Sequence, residues 1–157
     1  MIEVTATALG GHPFLHGMSS RHLEALAETA TDVVFPAGHR ILTEGGYADR
    51  LWLIRSGSVT LDTLVSGQGR VVIETIGMGG LLGWSWLFSP YQWAFGAVCA
   101  SPVDAFELDA AAVRNRCAAD PALGYDLTVR TARVLADRLR VTRTRLVATS
   151  VDALNGD

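Results

Sequence analysis

Between Asp32 and Leu108 the chain is cut into short apolar runs, and that spacing excludes any architecture built from long elements. The runs DVVFPAG, RILTEGGYAD, LWLIRSGSVTLDTLV, RVVIETIG, WAFGAVCA and DAFELD are rich in Val, Ile, Leu, Trp and Phe. Gly, Pro and Asp punctuate them at intervals of roughly 8–12 residues, the rhythm of strands and tight turns in a sandwich or barrel. Glycine recurs at Gly38, Gly45, Gly46, Gly57, Gly79 and Gly83, where such turns need a positive φ.

The flanks read differently. From Ser19 to Ala30, Leu23, Leu26 and Ala27 fall at helical spacing behind a Ser19 or Ser20 cap, with Glu24 near the third helical position. Asp109 caps a segment through Arg116, Asp120-Pro121 ends it, and Pro121 opens the next helix. From Ala122 to about Thr149, Leu127, Val134, Leu135, Leu139 and Leu146 recur at three, four and seven, the pattern of a helix lying along a partner helix. The expected organisation is an arm over 1–18, a β body over 19–121, a dimerising helix over 122–150 and a frayed tail over 151–157. The fold class is α+β.

With 157 residues, 49% hydrophobic and 18% charged, the chain suits one globular domain. No apolar run approaches the roughly 20 residues that span a bilayer. The N-terminus lacks the positive region of a secretory signal, so no membrane association and a cytoplasmic location are expected. The net charge is -3 and argues against DNA as a partner, although all 13 basic residues are arginine and six lie on the last helix. Cys99 and Cys117 are expected to be buried free thiols. No CxxC or HExxH offers a metal site, and no GxSxG, P-loop or GxGxxG offers a catalytic or nucleotide-binding one. His12, His16, His22 and His39 are scattered and read as surface residues. Glu44, Asp49 and Asp32 read as turn chemistry and not as paired catalytic acids.

In order along the chain, Phe35-Pro36-Ala37-Gly38 with Ile41, Glu44 and Gly45, then Ala48 to Val59, then Ile76-Gly77, Gly79 and Leu82-Gly83, then Ala97-Val98 and Ala100, then Leu135 to Leu139, resemble the cyclic-nucleotide-binding domains of the catabolite-activator and oxygen-regulator superfamily. The resemblance covers roughly Ser19 to Leu146. It implies a β-roll (a double-stranded jelly roll) with an N-terminal helix and a long C-terminal helix through which two copies pair. Transcription factors of this superfamily add a helix-turn-helix domain of roughly 70 residues. The sequence stops about ten residues beyond the long helix, so DNA regulation in that manner is not expected.

The resemblance also implies a phosphate-binding cassette, in which a Gly-Glu pair meets the ribose and an arginine about ten residues later pairs with the cyclic phosphate. Here Gly83 is followed by Trp84, and the arginine position falls on Ala94, or on Trp93 with a slip of one. From Gly79 to Gly96 there is no Asp, Glu, Lys or Arg. The candidate ligand-binding residues are therefore Leu82, Gly83, Trp84, Ser85, Trp93, Ala94 and Phe95, a degenerate cassette in which aromatics replace charge. No cofactor is expected, and cyclic AMP or cyclic GMP should bind weakly or not at all. Trp86, Phe88 and Phe95 are expected to fill the core, while Trp84, Tyr91 and Trp93 either plug the pocket or face a planar ligand or a protein. The helix start at Gly83-Trp84-Ser85 would still attract an anion. The resulting reading is a non-enzymatic sensor or docking module. A divergent cyclic-nucleotide receptor and a DNA-binding accessory using the basic helix are the alternatives.

Overall fold

A computed structural model describes residues 3–155. Its strands are β1 (Ala30–Phe35), β2 (Arg40–Leu42), β3 (Arg50–Ser56), β4 (Val59–Val65), β5 (Gly69–Ile76), β6 (Leu81–Leu82), β7 (Gly96–Cys99) and β8 (Val103–Asp109). They form two four-stranded sheets, ordered β1-β8-β3-β6 and β2-β7-β4-β5. The paired neighbours run antiparallel, so the expected β-roll of an α+β fold is present. The chain changes sheet between β3 and β4, and Gly57 makes that corner. Its φ is +89°, and a Cβ there would come within 2.1 Å of the Pro102 carbonyl oxygen, so only glycine fits.

Leu51, Trp52, Leu53 and Ile54 of β3 are all buried, without the alternation of a half-exposed strand. One face of β3 looks into the roll. The N-terminal segment, whose Leu9, Phe14, Leu15 and Met18 are core residues, forms a cover that meets β3 at Ile54, where His12 bonds the carbonyl. Two helices, α1 (Ala6–Gly10) and α2 (Ser20–Ala27), with a 3₁₀ turn at Pro13–Leu15 between them, build that cover. The expected arm is thus packed onto the roll. Ser19 is the cap of α2, its Oγ accepting from His22 N at 3.4 Å. That makes His22 the third helical residue and leaves Glu24 outside any capping box.

Two of the histidines expected at the surface are buried. His12 receives the Phe14 N–H on Nδ1 at 3.1 Å, which leaves its Nε2–H to donate to the Ile54 carbonyl at 2.9 Å. His22 places Nε2 3.2 Å from Asp120. Cys99 is buried and Cys117 half-buried, both as free thiols, and burial raises the pKa of each.

Asp109 caps α3 (Ala110–Ala119), its Oδ1 accepting from Ala112 N at 2.9 Å. The chain turns at Asp120, and α4 runs unbroken from Pro121 to Asn155. The expected tail is helical as far as Asn155, and residues 156–157 lie outside the described residues. Leu123, Leu127 and Thr131 bury the foot of α4 against its own roll, and Val134 packs on the same core. Leu127 and Val134 therefore leave the expected dimer seam. Leu135 is half-buried, whereas Leu139 and Leu146 are 70% and 66% exposed.

Candidate functional site

The cassette begins on one sheet and ends on the other. Leu82 of β6 pairs with Trp52 of β3, and β7 then joins the second sheet beside β4. Gly83 leaves β6 with φ +91°, and the expected helix is a single 3₁₀ turn, Ser85–Leu87, with no side-chain cap. One such turn sums too few peptide dipoles to hold an anion, so the expected anion site at Gly83-Trp84-Ser85 is not formed by a helix N-terminus.

The aromatic residues divide into three groups. Trp86 is fully buried, and its carbonyl accepts from Arg114 Nη1 at 2.8 Å. The Arg114 guanidinium also lies 4.3 Å over the Tyr91 ring, so this one residue of α3 clamps both limbs of the cassette. Trp93 is 5% exposed and packs on Trp52 with ring centroids 5.8 Å apart. Its backbone is bonded to the β2–β3 turn, donating to Gly46 O at 2.8 Å and accepting from Gly45 N at 2.9 Å. Trp93 is thus core, and its indole closes the space above Gly83. Trp84 is half-buried, with its ring 5.7 Å from Phe88 and 6.3 Å from Phe95. Phe95 is buried as expected, but Phe88 is 48% exposed and leaves the expected core set. Ser85 is buried and Ala94 exposed.

At the two positions that the resemblance assigns to the acid and the base, the structure has a half-buried indole and an exposed methyl. One guanidinium and one carboxylate do lie beside the first residue of β7, since a Cβ on Gly96 would meet Asp62 Oδ1 at 2.4 Å and Arg40 Nη1 at 2.5 Å. Arg40 Nη2 and Arg70 Nη1 both converge on the buried Asp62, at 2.9 and 3.3 Å. Arg40 above all, assisted by Arg70, lowers the Asp62 pKa against the cost of burial. These cations already hold a partner. Glu44 is structural as well, accepting from Thr63 Oγ1 at 2.8 Å and Leu64 N at 3.1 Å.

The clamp by Arg114 escapes a reading of the sequence. Its one local signal is an arginine on a helix with alanine at both positions four residues away, so it has no intrahelical carboxylate partner at that spacing. Concave surfaces lie elsewhere. A hollow of about 600 Å³ runs along α4 past Ala136, Leu139, Arg143 and Leu146. Another, of about 430 Å³, lies between the N-terminal cover and β3, with His12, Ile54 and Met78 in its wall. Among the described residues no group of three or more His, Cys, Asp or Glu is placed to hold a metal ion, and no helix is long and apolar enough to cross a membrane.

Comparison with known proteins bears on this site. The family model described as the cyclic nucleotide-binding domain matches residues 32–120. A CRP-like cAMP-activated global transcriptional regulator of Mycobacterium tuberculosis (strain H37Rv) is 30% identical over 130 residues, 83% of this chain and 56% of the relative. The chain thus spans little more than half that relative's length. A crystal structure from Geobacter metallireducens GS-15, described as of a cyclic nucleotide-binding protein, superposes with a TM-score of 0.77 at 27% identity, covering 88% of this chain and 99% of the other. The regulatory subunit of a cAMP-independent protein kinase A from Trypanosoma brucei shares the fold, with a TM-score of 0.66 at 20% identity over 80% of this chain and 44% of that one.

Proposed function

The chain belongs to the cyclic nucleotide-binding domain family, and from that premise we propose that it is a non-enzymatic regulatory module that binds a protein partner or a ligand other than cyclic AMP or cyclic GMP. One observation carries this reading: Trp84, which the resemblance puts in the place of the ribose-binding acid as it puts Ala94 in that of the phosphate-binding base, packs on Phe95 and Phe88. A charge-assisted contact to phosphate contributes roughly 1.5–3 kcal/mol. Its loss lowers affinity by about one to two orders of magnitude. Loss of the ribose acceptor lowers it further. The half-buried Trp84 beside the exposed Phe88 gives the module an aromatic patch of the kind that anchors protein interfaces.

Calorimetry of the whole chain with cyclic AMP and cyclic GMP tests the reading. Weak or absent heat is expected. Micromolar binding of either nucleotide with a defined stoichiometry would overturn it. That outcome would favour a divergent cyclic-nucleotide receptor, the second reading, which draws on the cAMP activation named for the mycobacterial relative.

Two copies pair along α4 in this proposal, through Leu135, Leu139 and Leu146, and the module works in the cytoplasm. The exposure of Leu139 and Leu146 on the stretch of α4 that projects beyond its buried foot supports the pairing. A DNA-binding role for the arginines of α4 would show as a salt-dependent shift of random duplex DNA, and the net charge of -3 argues against one.

A further inference from the structure

We infer that Asp32 and Asp104 hold one proton between them, and that this proton is a pH-sensitive latch fastening the edge strand β1 to β8. The two strands pair antiparallel, with Asp32 opposite Phe106 and Val34 opposite Asp104. Side chains alternate along a strand, so Asp32, Phe106 and Asp104 share one face of the sheet. Arg55 of β3 reaches the same face, its guanidinium 4.5 Å over the Phe106 ring. No residue of the cassette takes part, so the latch goes beyond the functional reading above.

The two carboxyl groups are one donor short. Arg55 Nη1 lies 3.1 Å from Asp32 Oδ2 and 3.7 Å from Asp104 Oδ1. Asp32 Oδ1 and Asp104 Oδ1 are both shut off from solvent, and neither receives a hydrogen bond. Such orphan atoms are rare in native proteins and call for a partner. Water does not reach them, so the donor has to come from within the pair. The two carboxyls stand within hydrogen-bonding reach of each other. A proton on Asp104 Oδ1, donated to Asp32 Oδ1, satisfies both atoms at once and leaves Asp32 charged against Arg55. Two ionised carboxylates would instead repel, with one guanidinium between them. Burial and the neighbouring Asp32 raise the Asp104 pKa above the ordinary 3.8, and Arg55 opposes them.

The charges around the pair come from three elements. Among the described residues, those that act on Asp104 are Asp32 of β1 and Arg55 of β3. The N-terminal cover adds His12, whose Nδ1 accepts from Phe14 N and which lines one hollow with Arg55. Glu3 bridges to Thr31, whose side chain alternates away from Asp32. Because the pKa of Asp104 is raised in the fold, the stabilisation from its proton is complete at low pH and is lost as pH rises through the folded-state midpoint. Above that midpoint Asp104 competes with Asp32 for Arg55. β1 is the edge of its sheet and has β8 as its neighbour strand, so repulsion across this pair loosens β1 before the strands behind it.

The test is a pH titration of the full chain, following the side-chain carboxyl carbon shifts of Asp32 and Asp104 by NMR. In the wild-type protein, Asp104 is expected to take up its proton above the ordinary 3.8. Asp32→Asn removes the neighbouring charge and should move that midpoint down. Asp104→Asn keeps an N–H for Asp32 Oδ1 and cannot ionise. Hydrogen exchange, corrected for its intrinsic pH dependence, reads the latch itself. As pH rises through the Asp104 midpoint, the amides of β1 should lose protection relative to those of β3 in wild type and keep it in Asp104→Asn. An Asp104 midpoint at or below 3.8 in the wild-type protein would overturn the assignment without recourse to any variant. A midpoint unmoved by Asp32→Asn, or the same loss of β1 protection in Asp104→Asn as in wild type, would overturn it too.

Discussion

The indole of Trp93 fills the space in which a side chain on residue 83 would have to stand, for a Cβ on Gly83 would approach its Cη2 to 2.8 Å and its Cζ3 to 2.9 Å. Gly83→Ala meets that ring and also has to hold φ +91°. The left-handed backbone costs about 1–2 kcal/mol and the overpacking about 1–3 kcal/mol. A loss of about 2–5 kcal/mol in urea unfolding is expected. Trp93→Ala should cost about 3–5 kcal/mol through its cavity. In the Trp93→Ala background the cost of Gly83→Ala should fall, because the steric part is gone, and purely additive costs would refute the contact.

Ala94→Arg restores a cation at an exposed position. Stability should change by less than about 0.5 kcal/mol, since residue 94 is exposed. Affinity for cyclic AMP should rise by about one to two orders of magnitude over wild type in calorimetry. No gain would show that the Trp84–Phe95 pair, and not the missing charge, closes the site.

Acid should weaken the attachment of the N-terminal cover. His12 is neutral in the fold, because its Nδ1 accepts from Phe14 N and cannot also carry a proton. Burial lowers its pKa from the ordinary 6.5, with Arg55 adding to the effect and the Ile54 carbonyl opposing it. The unfolded chain then binds more protons, so stability should decline as pH falls below about 6.5. Asp104 runs the other way, its pKa raised by burial and by Asp32, so the His12 contribution must be isolated by substitution. His12→Gln keeps an N–H for Ile54 and cannot titrate. Its melting temperature should vary less than that of wild type between about pH 7.5 and about pH 5. Parallel profiles would count against this account.

The leucines of α4 should behave differently along its length. Leu127→Ala should lower the stability of each protomer by about 2–5 kcal/mol, as a core truncation. Leu139→Asp and Leu146→Asp should leave protomer stability within about 0.5 kcal/mol and convert a dimer to a monomer in light scattering. A wild-type protein that scatters as a monomer at high concentration would remove the seam altogether.

What could be read from the sequence was local. Asp109 capping α3 and Pro121 opening α4 need only a few neighbouring residues, and both expectations hold. The order of strands and glycine turns was legible for the same reason. β6 was not, because a strand of two residues has no period. The burial of His12 depends on a carbonyl 42 residues away, and the Arg114 contact with Trp86 spans 28. Helical spacing put Leu127 and Leu139 on one stripe. It carried no sign that the roll covers the first and leaves the second exposed.

The continuity of α4 has a mechanical consequence. At a rise of about 1.5 Å per residue, the helix from Thr131, its last fully buried residue, to Asn155 is a rigid rod of about 36 Å. Two ropes moor it beyond its foot: the guanidinium of Arg138 on Leu81 O, and that of Arg145 on Ile73 O at 3.0 Å. If the first slackens and the helix tilts by about 10°, its far end swings by about 6 Å. Movements too small to see at the edge of the roll thus become, at Asn155, displacements as large as a side chain.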